Sequence, residues 1–129
     1  DKVHVMDLSS DESNPSWTTE LPTSGDIIVL RCDDIDGDGR ADLLVNDYFN
    51  SDSHIIGGMV SLFFGTLESG VVTPDQRFEG TTDEGAIGLG SASGDLDGDG
   101  IGDLVLSGLG ATYLHTGDAW VSDEWLAAE

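Results

Sequence analysis

Basic residues and cysteine are nearly absent from this sequence of 129 residues. Four Lys and Arg oppose 26 Asp and Glu, so the formal net charge is −22. Binding of phosphate groups requires a basic surface, so nucleic acid is excluded as a partner. The single cysteine, Cys32, excludes an internal disulfide. Its apolar neighbours "DIIVLRC" predict a small buried side chain rather than a reactive thiol.

Long apolar runs and helical periodicity are missing as well. No apolar stretch approaches the roughly 18 residues that indicate a membrane span, so we expect no membrane insertion. No signal peptide is visible and the chain begins without Met, so we interpret it as a mature or excised piece. Short segments rich in Val, Ile, Leu, Phe and Tyr alternate with Gly, Asp and Ser, which predicts an all-β protein.

An acidic motif is present twice, in "DDIDGDGRADLLV" and "GDLDGDGIGDLVL". The copies begin at Asp34 and Asp95, 61 positions apart, and each is followed by a glycine-led apolar segment, "GMVSLFFG" or "GATYLHTG". The first copy has nine extra residues around "YFNSDSHII", which we expect in a surface loop. Repetition of a motif together with its surroundings indicates a repeated structural unit.

Each unit is predicted to contain four strands, with the acidic motif in the turn between the first two. The expected strands are 26–32, 43–46, 59–64 and 76–79 in the first unit, and 86–93, 104–107, 111–115 and 119–122 in the second. Segments 2–8 and 15–21 resemble the third and fourth strands. We therefore interpret residues 1–129 as one domain, with a half repeat (1–24) before a first (25–82) and a second repeat (83–129).

The acidic motifs have the spacing of a cation-binding loop. Positions 1, 3, 5 and 9 are carboxylates, position 6 is glycine, and position 7 can add a backbone carbonyl. The candidate metal ligands are Asp34, Asp36, Asp38, Arg40 and Asp42 in the first loop, and Asp95, Asp97, Asp99, Ile101 and Asp103 in the second. Several hard oxygen ligands with flexible geometry favour Ca²⁺ over Mg²⁺, and zinc or copper would need a Cys/His cluster. One such motif would be compatible with a solvated turn, but two between apolar strands predict two calcium sites.

The loops differ from an EF-hand at position 12, where an EF-hand has a bidentate Glu. Val45 and Leu106 occupy that position and cannot bind a metal ion. "IGLGSASGDLDGDGIGDLVLSG" with "GATYLHTG", and "DGDGRADLLV" with "GGMVSLFFG", resemble FG-GAP repeats, the blades of the integrin α-subunit propeller and of many bacterial extracellular proteins. The resemblance implies propeller-type blades of four antiparallel strands, an extracellular or cell-surface location, and adhesion or recognition of an unknown protein or glycan ligand.

About two and a half repeats do not close a propeller, which typically has 4–8 blades. Three arrangements remain open: a piece of a longer propeller, a homo-oligomer that completes it, or a small open propeller-like module. The predicted function is a calcium-binding structural or recognition module and not an enzyme. The alternatives are the propeller portion of a larger secreted enzyme acting on carbohydrate or lipid, and a calcium-dependent sensor.

Other side chains give weaker indications of a site. The three histidines, His4, His54 and His115, share no spacing motif, and strand-surface roles are expected for the first and last. Candidate recognition aromatics are Trp17, Trp120, Trp125, Tyr48 and Phe49, although Trp17 and Trp120 are expected to cover strand edges.

Overall fold

The computed structural model describes residues 2–6, 18–22, 27–50, 54–65, 70–71, 73–117 and 126–128. They form strands and irregular connections without an α-helix, so the predicted all-β class is confirmed. Within these ranges there is also no helix long and apolar enough to cross a membrane. The strands are β1 (Lys2–Met6), β2 (Thr18–Pro22), β3 (Ile28–Arg31), β4 (Leu43–Asp47), β5 (Met59–Phe63), β6 (Gly70–Val71), β7 (Gln76–Glu79), β8 (Gly90–Gly94), β9 (Asp103–Ser107), β10 (Thr112–His115) and β11 (Leu126–Ala128).

The first four-stranded sheet has the order β3-β4-β5-β7, and all its neighbouring strands are antiparallel. Its two central strands are apolar runs in which Leu44 pairs with Leu62 and Asn46 pairs with Val60. Every residue of β5 is buried, and so is β4 after its first residue. Burial on both faces explains why apolar residues do not alternate with exposed polar ones in these strands, whose polar residues Asn46, Asp47 and Ser61 are buried as well.

The second four-stranded sheet has the order β11-β10-β9-β8 and is antiparallel as well. Its first strand begins at Gly90, whereas the sequence predicted a start at Ala86. Residues 84–88 instead form a turn whose amides bond to the inserted loop after β4. The strand predicted at 119–122 lies outside the described residues. The fourth strand of this sheet is β11, which pairs with β10.

A third sheet has the order β1-β2-β6. Strands β1 and β2 form an antiparallel pair, with Lys2 opposite Pro22 and Met6 opposite Thr18. Strand β2 also pairs in parallel with β6, which comes from the connection between β5 and β7. The sequence did not predict β6, and this pairing links the N-terminal segment to the first repeat.

The two four-stranded sheets share one hydrophobic core. Its buried members come from both sheets and from the first acidic loop: Cys32, Ile35, Leu44, Val60, Leu62, Phe78, Ile87, Leu104 and Leu106. Cys32 is buried, as the sequence predicted. Complete burial of a Leu or Ile side chain contributes about 1.5–3 kcal/mol, so this cluster is a main source of folding free energy.

Backbone hydrogen bonds also join the two sheets. The inserted loop after β4 accepts bonds from the turn before β8, with Ala86 N–H to the Ile56 carbonyl and Ile87 N–H to the Gly57 carbonyl, both 2.8 Å. Phe49 and Ile55 of this loop are exposed, in agreement with a surface position, while Asn50 is buried. The insertion is therefore both a surface loop and a part of the joint between the sheets.

Candidate metal centres

The two acidic loops occupy equivalent places in the two four-stranded sheets. The first connects β3 to β4 and the second connects β8 to β9. The loops also touch each other, because the Gly102 amide of the second donates to the Asp34 carbonyl of the first at 2.7 Å. Both loops therefore lie at the same end of the paired sheets.

The first carboxylate of each loop holds the turn together. The two oxygens of Asp34 accept backbone hydrogen bonds from Gly37 and Gly39, both 2.7 Å long. In the second loop, the oxygens of Asp95 accept from the equivalent glycines, Gly98 at 2.7 Å and Gly100 at 3.0 Å. This agreement in donor position and length shows that the two sequence copies fold alike.

Glycine is needed at two positions of each loop. Position 6 has a φ of 86° at Gly39 and 93° at Gly100, a left-handed conformation that side chains disfavour. Position 4 has the same conformation, with 79° at Gly37 and 86° at Gly98. The sequence argument identified only position 6, although the repeated "DGDG" contained the signal for both.

The third and fifth positions form short turns of their own. Asp36 and Asp97 each accept a bond of 3.1 Å from the amide two residues later. Asp38 accepts from the Arg40 amide at 2.8 Å, and Asp99 accepts from the Ile101 amide at 2.7 Å. Arg40 and Ile101 therefore contribute amides to the loops, and their carbonyls remain predicted ligands.

The aspartate at position 9 of each loop is buried. It connects the loop to the glycine that follows the third strand of the same repeat, which is β5 in the first repeat and β10 in the second. Asp42 accepts bonds from the Ile35 amide at 2.7 Å and the Gly65 amide at 2.8 Å. Its counterpart Asp103 accepts from Leu96 at 2.6 Å and Gly117 at 3.0 Å. The two aspartates are 3% and 0% exposed.

Sequence reasoning assigned this aspartate only as a ligand and missed its contact with the glycine after the third strand. The partners lie 23 positions apart in the first repeat and 14 in the second. The difference equals the nine inserted residues, so the insertion leaves this link unchanged. The glycine that ends both "GMVSLFFG" and "GATYLHTG" was the available signal.

The structure brings three carboxylates together in each loop, but the sets differ. Ligand atoms within 4.8 Å of one another come from Asp34, Asp36 and Asp42 in the first loop and from Asp95, Asp97 and Asp99 in the second. Of the other predicted carboxylate ligands, Asp38 lies outside the first set and Asp103 lies outside the second. The two loops therefore share their backbone geometry and differ in which carboxylates converge.

Burial and mutual repulsion act on the acids of the first loop. Burial raises the pKa of Asp42 above its usual 3.8, and the charges of Asp36 and Asp34 raise it further. The hydrogen bonds from the amides of Gly65 and Ile35 act in the opposite direction and lower this pKa. Desolvation also raises the pKa of Asp36, helped by repulsion from Asp38 and Asp34. A bound cation would remove this repulsion, because it stabilises the ionised form of every carboxylate beside it.

The two carboxylate clusters could each hold a metal ion, and their hard oxygen atoms are the ligand type that calcium takes. Calcium binds oxygen at about 2.3–2.6 Å, so two oxygens on one ion can be at most about 5 Å apart. Each cluster meets that limit, since its ligand atoms lie within 4.8 Å of one another, and all of these atoms are carboxylate oxygens. Asp34, Asp36 and Asp42 would hold one ion, and Asp95, Asp97 and Asp99 would hold the other.

The remaining candidates lie elsewhere or outside the described residues. Trp17, Trp120 and Trp125 and the side chain of His4 fall outside them. His115 was expected on a strand surface, but it is buried with its ring edge-on to Phe78, at a centroid distance of 6.2 Å. Tyr48 and Phe49 do form a pair in the inserted loop, with ring centroids 4.6 Å apart.

A groove beside the joint of the two sheets has a volume of about 140 Å³ and is lined by Phe78, Glu79, Gly80, Thr81, Ile87 and Tyr113. It is smaller than the about 300–1,000 Å³ of typical small-molecule sites.

Comparison of the sequence with models of known protein families and with curated proteins gives no match.

Proposed function

We propose that the chain is a calcium-binding structural or recognition module that works outside the cell. Two ions would each fix one acidic loop, and the loops lie where the sheets are joined. The observation that carries this proposal is the repetition of one loop geometry in both sheets. Each loop has a first aspartate that accepts two glycine amides and a ninth aspartate buried under the loop.

Electrostatics gives calcium a clear effect on stability. Each loop concentrates four carboxylates within nine residues, in a chain whose net charge is −22. Without a cation these charges repel one another in the folded loop more than in the unfolded chain, where they are farther apart. Binding to the folded state alone stabilises it by mass action, so calcium would contribute folding free energy directly.

We further propose that the two four-stranded sheets are propeller-type blades of the FG-GAP kind. Their strand order, their face-to-face core and the position of the acidic loop in each sheet support this proposal. The location outside the cell is part of the same proposal, and a module that works there would bind calcium at about 10⁻⁴–10⁻³ M. The protein or glycan that such a module would recognise is not specified by the fold.

Isothermal titration and thermal melting with calcium or EGTA test the function. We expect two bound ions and a melting temperature that rises with calcium. Asp36→Ala and Asp97→Ala should each remove about one ion, whereas Asp33→Ala, in the same loop but outside the ligand pattern, should remove none. An unchanged melting temperature in calcium, or two ions still bound by both ligand variants, would refute the proposal.

A further inference from the structure

We infer that calcium bound in one acidic loop strengthens calcium binding in the other, so that the two ions bind with positive cooperativity. This inference rests on the proposed function, because it describes how the two proposed calcium sites act on each other. Three contacts join the loops directly, and each is made by residues that carry or adjoin predicted ligands.

The first contact is the backbone hydrogen bond between the loops. The Gly102 amide donates to the Asp34 carbonyl at 2.7 Å, and the same peptide carries the Ile101 carbonyl, a predicted ligand of the second ion. A cation bound to a carbonyl oxygen polarises the peptide and makes its N–H a stronger donor, as in a chain of hydrogen bonds. An ion in the second loop would therefore strengthen the bond that holds the backbone of Asp34 in the first.

The second contact is made by the side chain of Ile101, which packs between the loops. A Cβ added at Gly37 would lie 3.7 Å from Cγ1 and Cδ1 of Ile101, and one added at Gly117 would clash with its Cγ2. Gly37 donates its amide to Asp34 in the first loop, and Gly117 donates its amide to Asp103 in the second. Ile101 thus lies beside an amide donor of each loop, so a shift of either loop changes its packing against the other.

The third contact joins the segments that enter the two loops. The Asp33 amide donates to the Ser93 hydroxyl at 3.0 Å. Nearby, a Cβ added at Gly102 would lie 2.9 Å from the Asp34 carbonyl oxygen and 3.1 Å from the Cβ of Asp33. The loops therefore approach each other as closely as a glycine permits, and this fit requires both turns to keep their shape.

Ordering of the loops gives the coupling its positive sign. The first ion fixes its own loop and, through the three contacts, part of the other, so the second ion loses less conformational entropy when it binds. Repulsion between the two cations acts in the opposite direction, but salt screens it, with a Debye length of about 8 Å at 0.15 M and about 3 Å at 1 M. We therefore expect the cooperativity to be larger in 1 M KCl than in 0.15 M KCl.

Isothermal titration of the unsubstituted protein and of two single-site variants measures the coupling. Asp36→Ala leaves only the second site and Asp97→Ala leaves only the first, so each gives the affinity of one site beside an empty neighbour. In 1 M KCl, the overall constant for two ions in the unsubstituted protein should exceed the product of these two affinities by about fivefold or more.

The possible results separate the coupling from the proposed function. An overall constant equal to or below the product would overturn the coupling and leave calcium binding intact. Failure of the unsubstituted protein to bind two ions would refute the proposed function and the coupling with it. Asp33→Ala is the control for charge, because it removes one carboxylate and keeps every predicted ligand. An equal loss of affinity in this control would assign the effect to charge and contradict the coupling.

Hydrogen exchange of the Gly102 amide measures the joint between the loops directly. In Asp97→Ala, whose second site is disabled, calcium in the first loop should slow this exchange about fivefold or more, because the coupling acts in both directions. The Asn50 amide, bonded to the Asp47 carbonyl at 3.1 Å in the inserted loop, is the control and should not change. Unchanged exchange at Gly102, or equal slowing at Asn50, would contradict transmission through this joint.

Discussion

The backbone amide of Gly102 donates a 2.7 Å hydrogen bond to the carbonyl oxygen of Asp34, and this bond joins the two acidic loops. Gly102 belongs to the second loop, and the side chain of Asp34 begins the first. The peptide that carries the Gly102 amide also carries the Ile101 carbonyl, which is a predicted calcium ligand. This peptide unit therefore links a predicted ligand of the second loop to the backbone of Asp34, whose side chain is a predicted ligand in the first.

The fit between the loops makes Gly102→Ala destabilising. An added Cβ would lie 2.9 Å from the Asp34 carbonyl oxygen and 3.0 Å from Cδ1 of Ile35, which is closer than the packed loops allow. We expect a loss of about 1–3 kcal/mol in the free energy of unfolding, measured by urea titration. Gly94→Ala is the control, since its nearest neighbour would be 4.0 Å away. Equal losses in the two variants would argue against tight packing at this joint.

The buried ninth aspartate should stabilise the fold even without metal. Asp103→Ala leaves the Leu96 and Gly117 amides without their acceptor. The bond to Gly117 is buried, and an unsatisfied buried group costs about 1–3 kcal/mol, so we expect a loss of about that size in EGTA. The bond to Leu96 is only part-buried and contributes less. Asp97→Ala, at an exposed position of the same loop, should change stability by less than about 0.5 kcal/mol under the same conditions. Similar losses of unfolding free energy from the two substitutions in EGTA would show that Asp103 does not stabilise the metal-free fold more than Asp97 does.

Much of the fold could be predicted from the sequence because local patterns determine it. Strands β4 and β5 are apolar runs long enough to identify alone, and the repeated acidic motif located the turns between strands. Strands β6 and β11 have two and three residues, so their pairing partners define them rather than their own composition. The link from Asp42 to Gly65 was missed for a related reason, since it joins residues that only the folded sheet brings together.

The metal-free protein should lose stability as the pH rises above the usual carboxyl pKa. The pKa of Asp42 is raised from 3.8 in the folded state, so the folded protein binds more protons than the unfolded chain between the two values. Stability gained from that proton is present at low pH and is lost as the pH rises through the folded pKa. Urea titrations in EGTA at several pH values above the isoelectric point of about 4.1 measure how the free energy of unfolding changes with pH.

Asp42→Asn provides the comparison for this pH dependence, because it removes the titrating group and keeps its shape. Its free energy of unfolding should fall less steeply with pH than that of the unsubstituted protein. Calcium competes with protons for the same oxygens, so the stabilisation it gives should grow as the pH rises. Identical slopes for the two proteins would assign the pH dependence to other carboxylates.

Gly58 and Gly110 offer a matched test of the joint between the sheets. They hold equivalent positions before β5 and β10, and both have positive φ, 82° and 95°. Alanine at Gly110 should cost about 1–2 kcal/mol from backbone strain alone, because no described atom lies near the added Cβ. Alanine at Gly58 should cost that amount and a further packing penalty of about 1–3 kcal/mol, because the added Cβ would clash with the backbone carbonyl and amide of Ile87. Urea titration of both variants isolates the packing contribution as their difference, and a difference near zero would mean that the sheets separate easily at this point.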